Sequence, residues 1–219
     1  MAKKIITRFF IFTLISFAGL YSCAKKDNTT YKKQGIESLK DGDIIFQTSQ
    51  SVQCEAVRIA TRSKFSHCGI IFTRDTKKFV LEAVQPVKIT PFEEWIKHGK
   101  NNCYLVKRLK DTLLLNNQKM VNMKHIGTQF INKDYDLYFE WSDDKIYCSE
   151  LVWKIYKEGA GIELCKQETL KSFNLKNSKV QEILKQRYGN TIPLEEKVVA
   201  PSQLANSHLL ETIIDTYTF

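Results

Sequence analysis

From residue 39 onward, short apolar runs alternate with polar breaks, and the period of each run indicates an element. Asp41-Gly42 signals a turn into Asp43-Ile44-Ile45-Phe46-Gln47, a short apolar run that reads as a buried strand. Apolar residues at 52, 56, 57, 59 and 60 fit a short helix. His67 to Thr73 and Phe79 to Val84 then read as two strands joined by the polar Arg74-Asp75-Thr76-Lys77-Lys78, a hairpin. Val87-Lys88-Ile89 extends the sheet, Pro91 opens a short helix through Trp95, and Cys103 to Leu109 forms another strand. Met120, Met123, Gly127 and Phe130 recur at helical spacing and predict a helix over 113–131. Further on come a helix at 179–188, Pro201-Ser-Gln-Leu, and an apolar run from Leu209 to Ile214 that reads as a closing strand.

The clearest period lies in Cys148-Ser-Glu-Leu-Val-Trp-Lys-Ile-Tyr-Lys-Glu-Gly159. Cys148, Leu151, Val152, Ile155 and Tyr156 fall on one face, and Gly159 and Gly161 offer stops. Cys148 thus stands at a helix start, where free amide groups and the helix dipole favour a negative charge, the environment of a nucleophilic thiolate. The same position equally suits a small buried hydrophobe. Chemistry therefore needs a partner, and of the four histidines only His67 opens a strand; His98, His125 and His208 lie in polar or loop-like contexts.

The hairpin supplies a third group. A turn of two residues (Asp75-Thr76) or of four (Arg74 to Lys77) sets His67 opposite Val84 and Gly69 opposite Glu82. His67 and Glu82 then share one face as diagonal neighbours, about 7–8 Å apart at the backbone. A turn of three would separate them. Glu82 lies between Leu81 and Ala83, so if that strand is buried its carboxylate needs a partner, and an imidazole N–H provides one. An exposed Glu on an alternating strand is the simpler alternative.

Composition narrows the setting. With 43% hydrophobic and 26% charged residues, the 219-residue chain is an ordinary globular sequence. A mean hydropathy of −0.30 with a single long apolar run excludes a polytopic membrane protein. The formal charge is +9, but Lys3, Lys4 and Arg8 stand at the extreme N-terminus. They precede an apolar stretch from Phe9 to Leu20, the charged and hydrophobic regions of a secretory signal, too short to span a bilayer. The remaining Lys and Arg are dispersed among acids, which gives no support to nucleic-acid binding. Cys54, Cys68, Cys103, Cys148 and Cys165 are odd in number and include no Cys-x-x-Cys pair, so a structural zinc site has little support. A zinc site from His67, Cys68 and Cys148 lacks a fourth ligand at a recognised spacing. By alternation with His67, Cys68 is expected to point away from the site.

Leu20-Tyr21-Ser22-Cys23 resembles the Leu-x-x-Cys lipobox of bacterial lipoproteins, with bulky Tyr21 departing from its tightest form. That resemblance implies cleavage after residue 22 and lipidation of Cys23. The expected organisation is a signal peptide at 1–22, a lipidated Cys and flexible tether at 23–38, and one domain at 39–219. The protein is then exported and held at a membrane of the cell envelope by its N-terminal lipid.

Gly42-Asp-Ile-Ile-Phe, Phe65-Ser-His-Cys-Gly-Ile-Ile, Leu81-Glu-Ala-Val and Tyr147-Cys-Ser-Glu-Leu-Val, in that order, resemble the YiiX/YaeF group of circularly permuted papain-like amidases, relatives of the NlpC/P60 cell-wall peptidases. The permutation accounts for His67 preceding Cys148. The resemblance implies an α+β fold, with an antiparallel, partly barrel-like sheet and the nucleophile helix packed on it. It makes Cys148 the nucleophile, His67 the base and Glu82 the group that orients His67, with no metal and no cofactor. Tyr135, Asp136 and Tyr147 also match the family's pattern and are expected to bind substrate or position the site. The implied activity is a cysteine hydrolase acting through a thioester on a peptide or lipid-derived substrate, a cell-wall peptide or a lipid-linked amide or ester. Two alternatives stand beside it: a lipoprotein binding peptide or lipid in the same groove without turnover, and a lipid acyltransferase or phospholipase. The groove is expected above the Cys148 helix, between loops near Gln47–Gln53 and Asp134–Asp143. Tyr135, Tyr138, Phe139 and Trp141 in the second loop are either an acyl-binding surface or core.

Overall fold

A computed structural model describes residues 35–217. The candidate signal, Cys23 and most of the tether lie outside the described residues. The described residues open with a helical turn at 35–37, ahead of Leu39, whose Ile36 packs on the core.

Six strands form one antiparallel sheet in the order β10-β5-β1-β2-β3-β4. They are β1 (Ile44–Ser49), β2 (His67–Arg74), β3 (Lys77–Glu82), β4 (Lys88–Pro91), β5 (Gly99–Leu109) and β10 (Leu210–Asp215). The four two-residue strands pair apart from it, β6 (Asp134–Tyr135) with β7 (Lys145–Ile146) and β8 (Glu168–Thr169) with β9 (Lys197–Val198). The helices are α1 (Val52–Thr61), α2 (Phe92–Lys97), α3 (Asn117–Gln129), α4 (Cys148–Ala160), α5 (Ser178–Tyr188) and α6 (Pro201–Ala205). No helix among the described residues is long and apolar enough to cross a membrane.

The run at 44–47 lacks a polar face because β1 is central, paired to β2 and β5 and covered on both sides. Ile44 and Phe46 join the larger core with Leu151, Val152 and Ile155 of α4. Ile45 joins a second core with Phe92 and Trp95 of α2. The apolar face of α4 is thus buried on the sheet and its back against α3. There Gly159 permits the close approach, since a Cβ on it would come within 2.6 Å of the Met123 Cα. Gly161, at φ 72°, ends the helix in the left-handed conformation that favours glycine. A satellite cluster of Ala56, Leu170, Val180 and Leu184 joins α1 to α5.

The β2–β3 turn has two residues, with Arg74 paired to Lys77 and with Asp75 and Thr76 both at positive φ. That backbone matches the strand twist and fixes the register for the whole hairpin. The expected helix over 113–131 is instead a short 3₁₀ turn at Thr112–Leu114 followed by α3. Two caps divide it: Asp111 accepts from the Leu113 N–H, and Asn116 accepts from the Lys119 N–H.

Candidate active site

The hairpin brings the first residue of β2 beside the last residue of β3. His67 Nε2 lies 2.6 Å from Glu82 Oε2, and both side chains are buried. The carboxylate is held from three directions. Trp95 Nε1 donates to Oε2 at 2.8 Å, Thr90 Oγ1 donates to Oε1 at 2.6 Å, and His67 completes the set. Burial opposes ionisation of Glu82, but the hydrogen bonds and charge of His67, with Thr90 and Trp95, hold its carboxyl below the ordinary range. The Trp95 ring also stacks on the imidazole, 5.8 Å between centroids and 24° between planes. Neither Trp95 nor Thr90 was legible as part of the site, because α2 and β4 reach Glu82 only through tertiary packing.

Cys148 is the first residue of α4. The helix start is fixed by Tyr147, whose hydroxyl accepts from the Val199 N–H at 3.1 Å, and by Ser149, whose hydroxyl donates to the Val199 carbonyl at 2.7 Å. The Tyr147 N–H points to Glu150 Oε2, which satisfies one donor of the first turn. The Cys148 sulfur interacts with His67, with Cys68 and with the Tyr135 hydroxyl. Because Nε2 of His67 is engaged by Glu82, Nδ1 is the ring nitrogen left to the sulfur. A hydrogen bond from Cys68 lowers the Cys148 thiol well below its ordinary range against the opposing effect of burial, and His67 adds to the lowering. Burial opposes the charge on His67, yet Cys148 and Glu82 push its pKa up to about 10. The shifts run in one direction: His67 favours the charged forms of Cys148 and Glu82, and they favour its own.

The expectation for Cys68 is corrected here. It does alternate with His67, but the sheet face it joins is the one covered by α4, so its thiol meets Cys148. The helix tip touches β2 at its first residues, where side chains of both faces lie within reach of the sulfur.

A groove crosses the thiol. On one side is a narrow apolar space lined by Val57, Ala60, Phe139, Leu170, Phe173 and Val199, with Cys148 in its wall. On the other is a wider space with a more polar lining, which includes Gln47, Ser49, Gln53, His67, Gln85 and His98. Val57, Ser66 and Tyr135 border both. These walls include the two loops anticipated from the sequence. The four loop aromatics divide: Tyr135 and Phe139 face the groove, whereas Trp141 packs edge-on against Trp153 and Tyr138 against Tyr188. Tyr147 lines the apolar space, where its ring meets Phe139 edge-on. Asp136 lines neither space. Its Oδ1 accepts from the Tyr138 N–H and so shapes the loop that carries Tyr135. Gln47, opposite His67 in the β1–β2 register, stands beside the ring with its amide oxygen buried and unpartnered. Its residue type alone did not single it out. Among the described residues, no three His, Cys, Asp or Glu side chains are placed to hold a metal ion.

Three comparisons bear on this arrangement. The family model described as permuted papain-like amidase enzyme, YaeF/YiiX, C92 family, matches residues 38–214. The uncharacterized protein YiiX of Escherichia coli strain K12 is 43% identical over 172 residues, covering 78% of this chain and 84% of that protein. The crystal structure of metalloprotein yiiX from Escherichia coli O157:H7 matches with a TM-score of 0.77 at 43% identity, covering 80% of this chain and 97% of that one. With a helix tip bearing Cys148, a hairpin bearing His67 and Glu82, and a family model that spans nearly all the described residues, the chain belongs to the YaeF/YiiX family of permuted papain-like amidases, C92.

Proposed function

We propose that the protein is a cysteine-dependent hydrolase that cleaves an amide joining an apolar acyl group to a polar amine, with Cys148 as nucleophile, His67 as acid and base, and Glu82 orienting the ring. The observation that carries this reading is the line of carboxylate, imidazole and thiol at the join of an apolar and a polar space. The Cys148 thiolate attacks the carbonyl carbon. The Cys148 N–H at the free end of α4 and the Tyr135 hydroxyl, already beside the sulfur, are the donors to the developing oxyanion. His67 gives its Nδ1 proton to the departing nitrogen, leaving the acyl group on sulfur as a thioester. Water deprotonated by His67 then releases the acid.

The direction of the substrate follows from the same geometry. His67 lines the polar space, so the leaving amine departs there and the acyl chain lies in the apolar one. Among the described residues no Lys or Arg side chain lines either space, which favours a lipid-derived acyl group over the carboxylate-rich peptides of the cell wall. In this reading, export and lipidation at Cys23 hold the groove at the envelope membrane where such lipids are found. For the metal in the name of the E. coli structure, the described residues of this chain offer no set of three His, Cys, Asp or Glu ligands.

The test is incubation of the chain with a long-chain N-acyl amide and, separately, with muropeptides, followed by mass spectrometry of products and of the Cys148 peptide. Acyl release from the amide, a transient thioester on Cys148, and neither with Cys148→Ser is the expected result. Cleavage of muropeptides alone would assign a cell-wall substrate, and turnover by Cys148→Ser would remove the thiol from the mechanism.

A further inference from the structure

The polar side of the groove contains an amide that the mechanism above does not use. Gln47 lines that space at 1% exposure, and its Oε1 is buried without a hydrogen-bond partner. A buried polar atom left unpaired is costly until something completes it. The other glutamines around the space are differently placed. Gln85 accepts from the Tyr135 N–H at 2.7 Å and donates to Asp134 Oδ1 at 2.6 Å, Gln53 donates to the Tyr135 hydroxyl at 3.4 Å, and Gln50 is exposed to solvent. Gln47 is packed instead with its Oε1 against Gly99, where a Cβ would come within 2.8 Å of it. Gly99 follows His98, which lines the same space. Gln47 is also the register partner of His67, so the two side chains stand on one face of the sheet, about 4.5–5.5 Å apart at Cα.

We propose that Gln47 is a specificity-determining residue that recognises a hydroxyl group on the departing amine, so that the substrate is the amide of an amino alcohol carrying no further charge. The inference deepens the hydrolase reading above and rests on it. A hydroxyl can complete either end of a primary amide, because it donates to the oxygen or accepts from the N–H. The lining of the space argues against a charged amine part. Among the described residues no Lys or Arg lines it to hold a carboxylate or phosphate, and its one carboxylate, Glu82, is already taken by His67, Thr90 and Trp95. Since His67 protonates the departing nitrogen and Gln47 stands beside His67, the hydroxyl lies on the carbons next to that nitrogen. A plain alkyl amine in the same place leaves the Gln47 amide unpaired, which is how the site rejects it.

The experiment compares kcat/KM of the full chain for four amides of decanoic acid that differ only in the amine part: N-(2-hydroxyethyl), N-propyl, N-(2-aminoethyl) and N-(carboxymethyl). The wild type is expected to favour the hydroxyethyl amide over its propyl isostere by about tenfold, the worth of one net hydrogen bond, and to favour it over both charged amides. Gln47→Met, close in length and without the amide, is expected to bring the hydroxyethyl-to-propyl ratio near one, whereas Gln53→Met keeps the ratio of the wild type. A wild-type ratio near one, a preference for a charged amide, or an equal loss of the ratio in Gln53→Met overturns the proposal, and the first two outcomes need no variant to fold. Failure of the hydrolase reading is seen separately. If the wild type turns over none of the four, dissociation constants of the hydroxyethyl and propyl amides for Cys148→Ala are measured by calorimetry. Tighter binding of the hydroxyethyl amide that Gln47→Met abolishes supports hydroxyl recognition without hydrolysis, and equal binding of the two ends it.

Discussion

Glu82 accepts from His67, Trp95 and Thr90, and the three bonds do different things. Trp95 and Thr90 keep the carboxylate in place, so its contribution to His67 is a fixed charge as well as a hydrogen bond. Glu82→Gln keeps the shape and removes the charge. In the proposed mechanism the active form has a thiolate and an imidazolium, so activity rises as Cys148 loses its proton and falls as His67 loses its own. With His67 raised to about 10, the alkaline limb of the wild type lies near that value. Removing the carboxylate favours the neutral ring, which moves the alkaline limb to lower pH. Turnover by Glu82→Gln is expected to drop by about 10²- to 10⁴-fold, the range supplied by acid–base catalysis. A kcat/KM profile that keeps its alkaline limb in this variant would show that Glu82 does not set the charge of His67.

At the scale of elements, the helix that carries Cys148 depends on a buried charge cluster one turn further in. Lys154 Nζ lies 2.8 Å from Glu150 Oε1 and 2.7 Å from Asp143 Oδ1, and it also donates to the Ser142 carbonyl. Glu150 is fully buried, and Lys154 nearly so. Burial raises the Glu150 carboxyl to about 8 against the opposing effect of Lys154. Above about pH 8, where that carboxyl is ionised in the wild type, Lys154→Met removes its counter-charge and is expected to destabilise the fold by about 3–5 kcal/mol. Adding Glu150→Gln should recover much of the loss. Urea denaturation of the two variants measures both, and equal stabilities would mean that the pair is not coupled. This cluster was not evident from the chain, since Glu150 and Lys154 at i and i+4 look like an ordinary surface pair. The hairpin was evident. Its polar segment admits turns of two, three or four residues, and register arithmetic sets His67 and Glu82 on one face only for the even ones; the two-residue turn is the one formed. The face of Cys68 was misjudged because alternation tells which residues share a side of a strand, not which side the next layer covers. The two-residue strands β6 to β9 carry no period long enough to read, and they fix the Tyr135 and Val198 segments on either side of the thiol.

At the scale of the molecule, the sheet and α4 form the frame, while α1, the loop carrying Tyr135 and the segment around Val199 supply the groove walls. The frame is the part that the sequence motifs describe. The walls determine what is cleaved, and their lining is legible only when the α1–α5 cluster and the β8–β9 pair are seen to close the apolar space. Ala60, in the last turn of α1, borders that space without approaching His67 or the polar side. A larger side chain there shortens the acyl channel and leaves the charge relay in place. Ala60→Phe is therefore expected to lower the preference for long over short acyl amides. Displacing about two methylenes, at about 0.8 kcal/mol each, corresponds to roughly a tenfold change in the ratio of kcat/KM values. Iodoacetamide labelling of Cys148 in the same variant tells whether the thiol environment is preserved. An unchanged chain-length preference with normal labelling would mean that the acyl group does not occupy the apolar side, and the orientation of the substrate would have to be reversed.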